Sequence, residues 1–169
     1  MSEYELSRPV DVRQSDGKTD RIVANEAERA ALASRFGLVS VDRLEAEVLL
    51  SRKDRTVTAS GRLSADIVQS CAVSAEDLPV TIDEELSFRF VPERGDHGGE
   101  VELDAQDCDE IEYAGTSFDL GEAVAQSLGL AIDPYATGPQ ADEARREAGL
   151  LNPEDTGPFA ALKGLSLKE

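Results

Sequence analysis

Three stretches in the middle of the chain alternate between apolar and polar residues. Residues 43–50 and 56–67 each place apolar side chains at every second position, and residues 80–90 repeat this pattern. A period of two is typical of β-strands that bury one side and expose the other to water. The pattern therefore predicts three strands, and Lys53-Asp54 is predicted to form the turn between the first two.

Two positions interrupt this alternation. Gly61 lies in the middle of the second predicted strand, where a glycine is expected to mark a bend or bulge. Glu84 breaks the apolar side of the third strand, and a bulge there would turn its carboxylate outward. Outside these three strands, residues 4–12 and 110–113 are candidates for shorter edge strands.

Capping signals indicate where the helices begin and end. Asn25 with Glu28 three residues later is typical of a helix start, and Gly37 occupies the place of a left-handed C-terminal cap. These residues predict a helix over 26–36 whose narrow apolar stripe lies on a sheet.

A second helix is predicted to start at Asp119, because apolar residues recur after it at helical spacing. This helix ends before Asp133-Pro134, since proline disfavours helical backbone in the residue before it. A polar third helix is predicted over residues 140–148.

The short connections and the single polar side of each strand favour an antiparallel meander over a parallel α/β sheet. The predicted fold class is α+β: an antiparallel β-meander with two or three covering helices and a long acidic loop. The pattern allows the sheet either to stay open or to curl toward a barrel. We expect a single domain over residues 1–135, including a mobile acidic loop at about 92–109, and a Pro/Gly-interrupted tail with short helices over 136–169.

Charge changes this picture in one region. The 169 residues carry 17 Lys plus Arg against 35 Asp plus Glu, a net charge of -18. Residues 76–112 alone carry 14 acidic and 2 basic side chains, or -12. This stretch fits either a solvated loop that maintains solubility or a docking surface for a basic partner.

The same composition excludes several classes of protein. No apolar run has the length of a membrane span, and the first residues lack the basic-then-apolar pattern of a signal segment, so a soluble cytoplasmic protein is expected. The acidic balance argues against a broad phosphate-binding face. Two cysteines do not make a disulfide framework, and we expect both thiols to be reduced.

No catalytic, metal or cofactor site is predicted from the motifs. Phosphate-cradling glycine loops are absent from the sequence. His97 lies in the predicted acidic loop with nothing to hold it near a nucleophile, and Cys108 is surrounded by acidic residues that disfavour a thiolate. Cys71 is expected to be buried as a small apolar residue. The carboxylates near Cys108 lack the spacing of a calcium loop.

Several segments together resemble one family of bacterial proteins, the YceD family, over roughly residues 5–165. The resemblance rests on the order and spacing of the following segments: Gln69-Ser70-Cys71-Ala72-Val73-Ser74, the acidic stretch, Asp119-Leu120-Gly121-Glu122, Leu130-Ala131-Ile132-Asp133-Pro134-Tyr135 and Pro158-Phe159-Ala160-Ala161-Leu162.

The resemblance implies a part in ribosome assembly, because the YceD family is associated with accumulation of large-subunit ribosomal RNA. Many members have a CxxC at the position of Cys71 and further cysteines after the Asp-Pro segment, which is suggestive of zinc. Here the first site ends in Ser74, and residues 138–150 contain no cysteine. Metal binding is therefore not carried over to this chain.

Three functional hypotheses follow. The first is a non-enzymatic assembly factor whose acidic surface binds a basic ribosomal protein or a large-subunit precursor, with an apolar anchor in the tail. Its candidate residues are Glu100, Glu102, Asp104, Asp107, Asp109, Glu110, Phe159 and Leu162. The second binds RNA directly through Arg43, Arg52, Lys53, Arg55 and Arg62. The third is a metal-assisted hydrolase that uses the acidic cluster.

Overall fold

The computed structural model describes residues 4–93 and 109–149. This part of the chain forms seven strands and three α-helices. In chain order they are β1 (Pro9–Asp11), β2 (Thr19–Val23), α1 (Glu26–Phe36), β3 (Ser40–Lys53), β4 (Thr56–Ser70), β5 (Asp77–Pro92), β6 (Asp109–Tyr113), β7 (Ser117–Asp119), α2 (Leu120–Ala131) and α3 (Ala141–Glu147).

The main sheet has five strands in the order β2-β3-β4-β5-β6. Its first four strands form an antiparallel meander, which confirms the predicted α+β class. The described strands form an open sheet and do not close into a barrel. The last strand departs from the meander, because β6 pairs with β5 in parallel.

A second, two-stranded sheet lies apart from the first. β1 pairs antiparallel with β7, so Val10 lies opposite Phe118. Of the candidate edge strand over residues 4–12, only Pro9–Asp11 forms a strand, and its partner is β7. Neither β2 nor β7 was predicted from the sequence. A single turn of 3-10 helix, Val12–Gln14, follows β1.

The alternating pattern corresponds to the observed burial. The apolar positions of β3 and β4 point into the core, and the strands extend beyond the predicted ranges. The turn after Lys53 is confirmed, and Asp54 adopts a φ of 58° there. The one register shift between β3 and β4 falls between Val41 and Arg43, which makes Asp42 the extra residue.

Both predicted bulges are wrong. The pairing runs without a shift through Gly61, which lies between Val48 of β3 and Leu86 of β5. Gly61 allows β3 and β4 to approach each other closely, because an added Cβ would lie 1.9 Å from the backbone oxygen of Glu47. The pairing is also continuous at Glu84, whose side chain is exposed without a bulge beside the end of α2.

The helices begin and end where the capping signals predict. Asn25 and Glu28 form a reciprocal capping box at the start of α1, and Gly37 ends it with a φ of 64°. The Asp119 side chain accepts the N–H of Glu122 at the start of α2. α1 packs on β3 and α2 packs on β5, so both cover the apolar side of the main sheet. Within the described ranges, none of the helices has the length and apolar character needed to cross a membrane.

Candidate partner-binding surfaces

The polar side of the main sheet carries a network of ion pairs. Its charged residues, here called the outer face, are Arg21, Arg43, Glu45, Glu47, Arg62, Asp66, Asp83, Glu85, Arg89 and Glu110. Each of the four arginines is paired with a carboxylate. The pairs are Arg21–Glu45 (3.3 Å), Arg43–Asp66 (2.8 Å), Arg62–Asp83 (2.6 Å) and Arg89–Glu110 (4.0 Å).

Carboxylates are in excess on the outer face, with six against four arginines. Glu47 and Glu85 flank Arg62 on the two neighbouring strands, while the Arg62 guanidinium binds Asp83. The hydrogen bond to Asp83 and the nearby carboxylates raise the pKa of Arg62. Likewise, hydrogen bonds from Arg43 and then Thr81 lower the pKa of Asp66. The outer face therefore has its positive charge neutralised and retains a negative surplus.

A groove with a stronger negative charge lies where β6 begins. It has a volume of about 220 Å³, and Glu84, Glu85 and Asp109 line it beside Ser127, Leu130 and Ala131 of α2. Leu130 is 82% exposed and supplies an apolar side chain at the rim. We call this the acidic groove. The side chains of Glu84 and Asp109 lie on the side of the sheet that α2 covers, whereas Glu85 alternates with Glu84 and belongs to the outer face. The groove therefore combines two carboxylates with one exposed apolar side chain, which suits a segment carrying both basic and apolar residues.

The structure places two of the predicted partner-binding residues at this edge. Asp109 lines the acidic groove, and Glu110 pairs with Arg89 on the outer face. The other candidates lie outside the described residues: Glu100, Glu102, Asp104, Asp107, Phe159 and Leu162. The sequence analysis did not predict Glu84 and Glu85 as site residues. Two consecutive glutamates stand where the apolar alternation of the third predicted strand is interrupted, and this could have indicated a site.

The five residues of the predicted RNA-binding face do not form one surface. Arg43 and Arg62 lie on the outer face, where carboxylates neutralise them. The other three, Arg52, Lys53 and Arg55, lie at the opposite end of β3 and β4, around their turn. The structure therefore divides the predicted basic face into a neutralised part and a part at the hairpin end.

Cys71 lies just after β4 and is 4% exposed, which confirms its predicted burial. Its Sγ accepts backbone N–H groups from Val73 (3.4 Å), Ser74 (3.3 Å) and Gly138 (3.3 Å). The Ser74 hydroxyl and the backbone N–H of Ser74 lower the pKa of the thiol to about 7, aided by Gly138 and Val73 and opposed by burial. The site therefore stabilises a thiolate through backbone dipoles.

This environment does not fit the zinc site suggested by cysteine-rich relatives. Ser74 stands at the second cysteine position, and the segment after Asp133-Pro134 contributes the N–H of Gly138. N–H groups that donate to a thiolate also occur around bound zinc, so the misfit lies in the missing ligands: serine replaces the second cysteine, and a backbone N–H has no lone pair to give to zinc. Among residues 4–93 and 109–149, no group of three or more His, Cys, Asp or Glu side chains is arranged to hold a metal ion.

We expect the Cys71 thiol to titrate near neutral pH. In a Cys108→Ser background, the absorbance of the thiolate should appear with a midpoint near pH 7 in the folded protein and near about pH 8.5 after unfolding. The pKa of the thiol is lower in the folded than in the unfolded chain. The free energy of unfolding should therefore rise as the pH increases from about 7 to about 8.5, and this gain should be lost when the pH is lowered again. A Cys71→Ser variant should lack this rise; a midpoint near pH 8.5 in the folded protein would contradict the expectation.

The fold and its surfaces define a small α+β protein with an open, mostly antiparallel sheet and extensive charged surfaces. The chain belongs to the YceD family: the family model described as "Large ribosomal RNA subunit accumulation protein YceD" matches residues 59–166. This range includes Cys71 and α2, whereas α1, all of β3 and the first three residues of β4 precede it. Comparisons with curated proteins and with solved structures gave no match.

Proposed function

We propose that this chain acts in the cytoplasm as a non-enzymatic assembly factor for the large ribosomal subunit. In this proposal it supports ribosomal RNA accumulation by binding a basic ribosomal protein or the basic protein part of a precursor particle. Family membership supports the link to ribosomal RNA accumulation. The family description names no reaction, and the non-enzymatic role is part of the proposal.

The acidic groove is the observation that carries this proposal. It brings together the carboxylates of Glu84 and Asp109, which are distant in sequence, beside the exposed Leu130. Carboxylates attract a basic segment at long range, while an apolar contact contributes after docking. A partner with alternating basic and apolar residues would satisfy both parts of the groove.

In the sequence, further negative charge directly precedes Asp109 of this groove. Residues 93–108 carry six acidic side chains and one arginine and continue into Asp109. The neighbouring outer face adds the surplus carboxylates Glu47 and Glu85. A basic partner would therefore meet an extended negative potential, which raises its association rate at low salt. The tail residues Phe159 and Leu162 stay a prediction for an additional apolar contact.

The test is a salt-dependent pull-down from lysate with the full chain as bait, followed by binding measurements with the recovered protein. The groove variant is Glu84→Gln with Asp109→Asn. The matched control is Asp77→Asn with Glu147→Gln, which removes the same charge at exposed positions elsewhere. We expect a nuclease-resistant basic ribosomal protein whose affinity falls about tenfold in the groove variant at low salt and little in the control.

Two outcomes would contradict the proposal. One is a partner whose affinity does not change between low salt and about 0.5 M, because screening must weaken a charge-driven complex. The other is recovery that depends entirely on RNA. In that case the protein would reach the particle through nucleic acid and not through its acidic groove.

The alternatives receive less support from the described residues. Direct RNA binding by the predicted five-residue face is not favoured, because Arg43 and Arg62 are already paired. The metal-assisted hydrolase has no supporting ligand cluster within residues 4–93 and 109–149.

A further inference from the structure

Most arginines of the described chain form ion pairs with carboxylates, and three of those that do not lie close together. Of twelve arginines within residues 4–93 and 109–149, seven form ion pairs there. Arg29 donates to the backbone oxygen of Ala24, and Arg146 is exposed on α3. The remaining three, Arg13, Arg52 and Arg55, have no ion pair among the described residues, and all three line one pocket.

This pocket lies at the β3–β4 turn and the end of β6, whereas the acidic groove lies where β6 begins; the volume of the pocket is about 340 Å³. Arg13 comes from the 3-10 turn after β1, and Arg52 and Arg55 flank the β3–β4 turn. The remaining lining residues are Val12, Asp54, Tyr113, Gly115 and Thr116. Two separate parts of the chain therefore bring these arginines together, and residues 113–116 complete the lining.

Hydrogen bonds fix the backbone around the pocket. The Tyr113 hydroxyl donates to the backbone oxygen of Arg55, which ties the hairpin end to the end of β6. The backbone N–H of Val12 donates to the oxygen of Thr116 at 3.0 Å. These contacts hold the backbone of the lining segments in place, and Arg13, Arg52 and Arg55 are themselves exposed residues.

The nearest acids do not neutralise these arginines. The Asp11 carboxylate accepts the backbone N–H of Arg13 at 2.7 Å. The Asp16 carboxylate likewise accepts the backbone N–H of Arg52 at 2.9 Å. Asp54 is the one acid among the lining residues, so the lining carries a net charge of +2 in a chain of net charge -18.

We infer that Arg13, Arg52 and Arg55 form a binding pocket for a phosphate group. A guanidinium presents paired donors that match phosphate oxygens, and three such groups around one pocket need an anion with several oxygens. A carboxylate offers two oxygens and one charge, whereas a terminal phosphate offers three oxygens and a charge of about -2. Free phosphate compounds and the phosphates of an RNA strand share this chemistry.

This inference does not depend on the proposed protein partner. The phosphate pocket and the acidic groove use different residues, so either can fail without the other. Arg13, Arg52 and Arg55 also precede residues 59–166, the range matched by the family model. The pocket is therefore a property of this chain that family membership alone does not supply.

The experiment measures binding of three probes to the full chain by calorimetry in a phosphate-free buffer. The probes are inorganic pyrophosphate, a single-stranded RNA hexanucleotide with a 5′-phosphate, and the same hexanucleotide with a 5′-hydroxyl. We expect pyrophosphate to bind, and each of Arg52→Ala and Arg55→Ala to weaken it about tenfold. Competition between pyrophosphate and RNA would identify RNA as the source of the phosphate, and binding of pyrophosphate alone would identify a free phosphate compound.

The matched control is Arg146→Ala, which removes an exposed, unpaired arginine outside the pocket and should leave binding unchanged. Thermal unfolding of each variant checks that the fold is intact, and Arg55→Lys, which keeps the charge but loses the fork, should bind with intermediate affinity. The inference is overturned if no probe binds at millimolar concentration. It is also overturned if the Arg13, Arg52 and Arg55 alanine variants bind as tightly as the Arg146 control, or if an acidic peptide binds as tightly as pyrophosphate.

Discussion

Replacing Gly61 with alanine is expected to destabilise the protein by about 3 kcal/mol or more, because the new methyl group has no space. An added Cβ would lie 1.9 Å from the backbone oxygen of Glu47 and 2.8 Å from the Cα of Val48. Both atoms belong to the backbone of β3, so no side-chain rotation relieves the clash. The strands β3 and β4 must separate or twist away from each other.

The measurement is urea denaturation of Gly61→Ala followed by circular dichroism. We expect a lower midpoint with an unchanged slope, since the slope reports the surface exposed on unfolding. Ser60→Ala is the control, because Ser60 is the exposed neighbour in the same strand. Loss of less than about 1 kcal/mol in the glycine variant would show that the two strands adjust easily at this point.

The second large effect is expected for Arg35, which connects the two covering helices. Its guanidinium binds both carboxylate oxygens of Glu122 at 2.9 Å and also reaches Glu5 at 3.0 Å. Glu122 is 8% exposed and receives a further hydrogen bond from Gln126. Arg35→Ala would leave this carboxylate buried without its cation, at a cost of about 2 to 3 kcal/mol after allowing for the partly exposed arginine.

The pH dependence distinguishes this effect from a loss of packing. Burial raises the pKa of Glu122, but hydrogen bonds from Arg35 and Gln126 outweigh it, and the pKa is lowered. A lowered pKa stabilises the folded state at neutral pH, and this contribution is lost as the pH falls through the folded value. The difference between wild type and Arg35→Ala should therefore be largest near about pH 7 and shrink toward about pH 4.

Arg62→Ala is the control for this comparison. Arg62 also forms an ion pair, but the side chains of Arg62 and Asp83 are 64% and 52% exposed. Pairs exposed to this extent contribute about 1 kcal/mol or less, so the control should change stability little. If both arginine variants lost the same small amount, the link between α1 and α2 would contribute no more than a surface pair.

The sequence predicted the elements that are determined locally. The cap residues Asn25 and Asp119 act within one helical turn, so the starts of α1 and α2 followed from them directly. The long alternation in β3, β4 and β5 reflects one buried side along each strand. By contrast, the parallel pairing of β6 and the pairing of β1 with β7 join residues distant in sequence, and no local pattern carries that information.

The surfaces were less predictable for a related reason. Arg43 and Arg62 resemble free basic residues in the sequence, and their partners Asp66 and Asp83 become evident only once the strand register is known. Arg13 joins Arg52 and Arg55 through the packing of β1 near β6 and β7. The charge count locates the acidic region along the sequence, whereas the way charged side chains combine into surfaces depends on the tertiary structure.

The pairing of β1 with β7 also sets an order of events during synthesis on the ribosome. Val10 and Phe118 are partners, although 108 residues separate them. At about 5 to 20 residues per second, β1 is synthesised roughly 5 to 20 seconds before β7. Throughout that interval its edge is available to chaperones or to other chains, and the small sheet closes only after the five-stranded sheet has been synthesised.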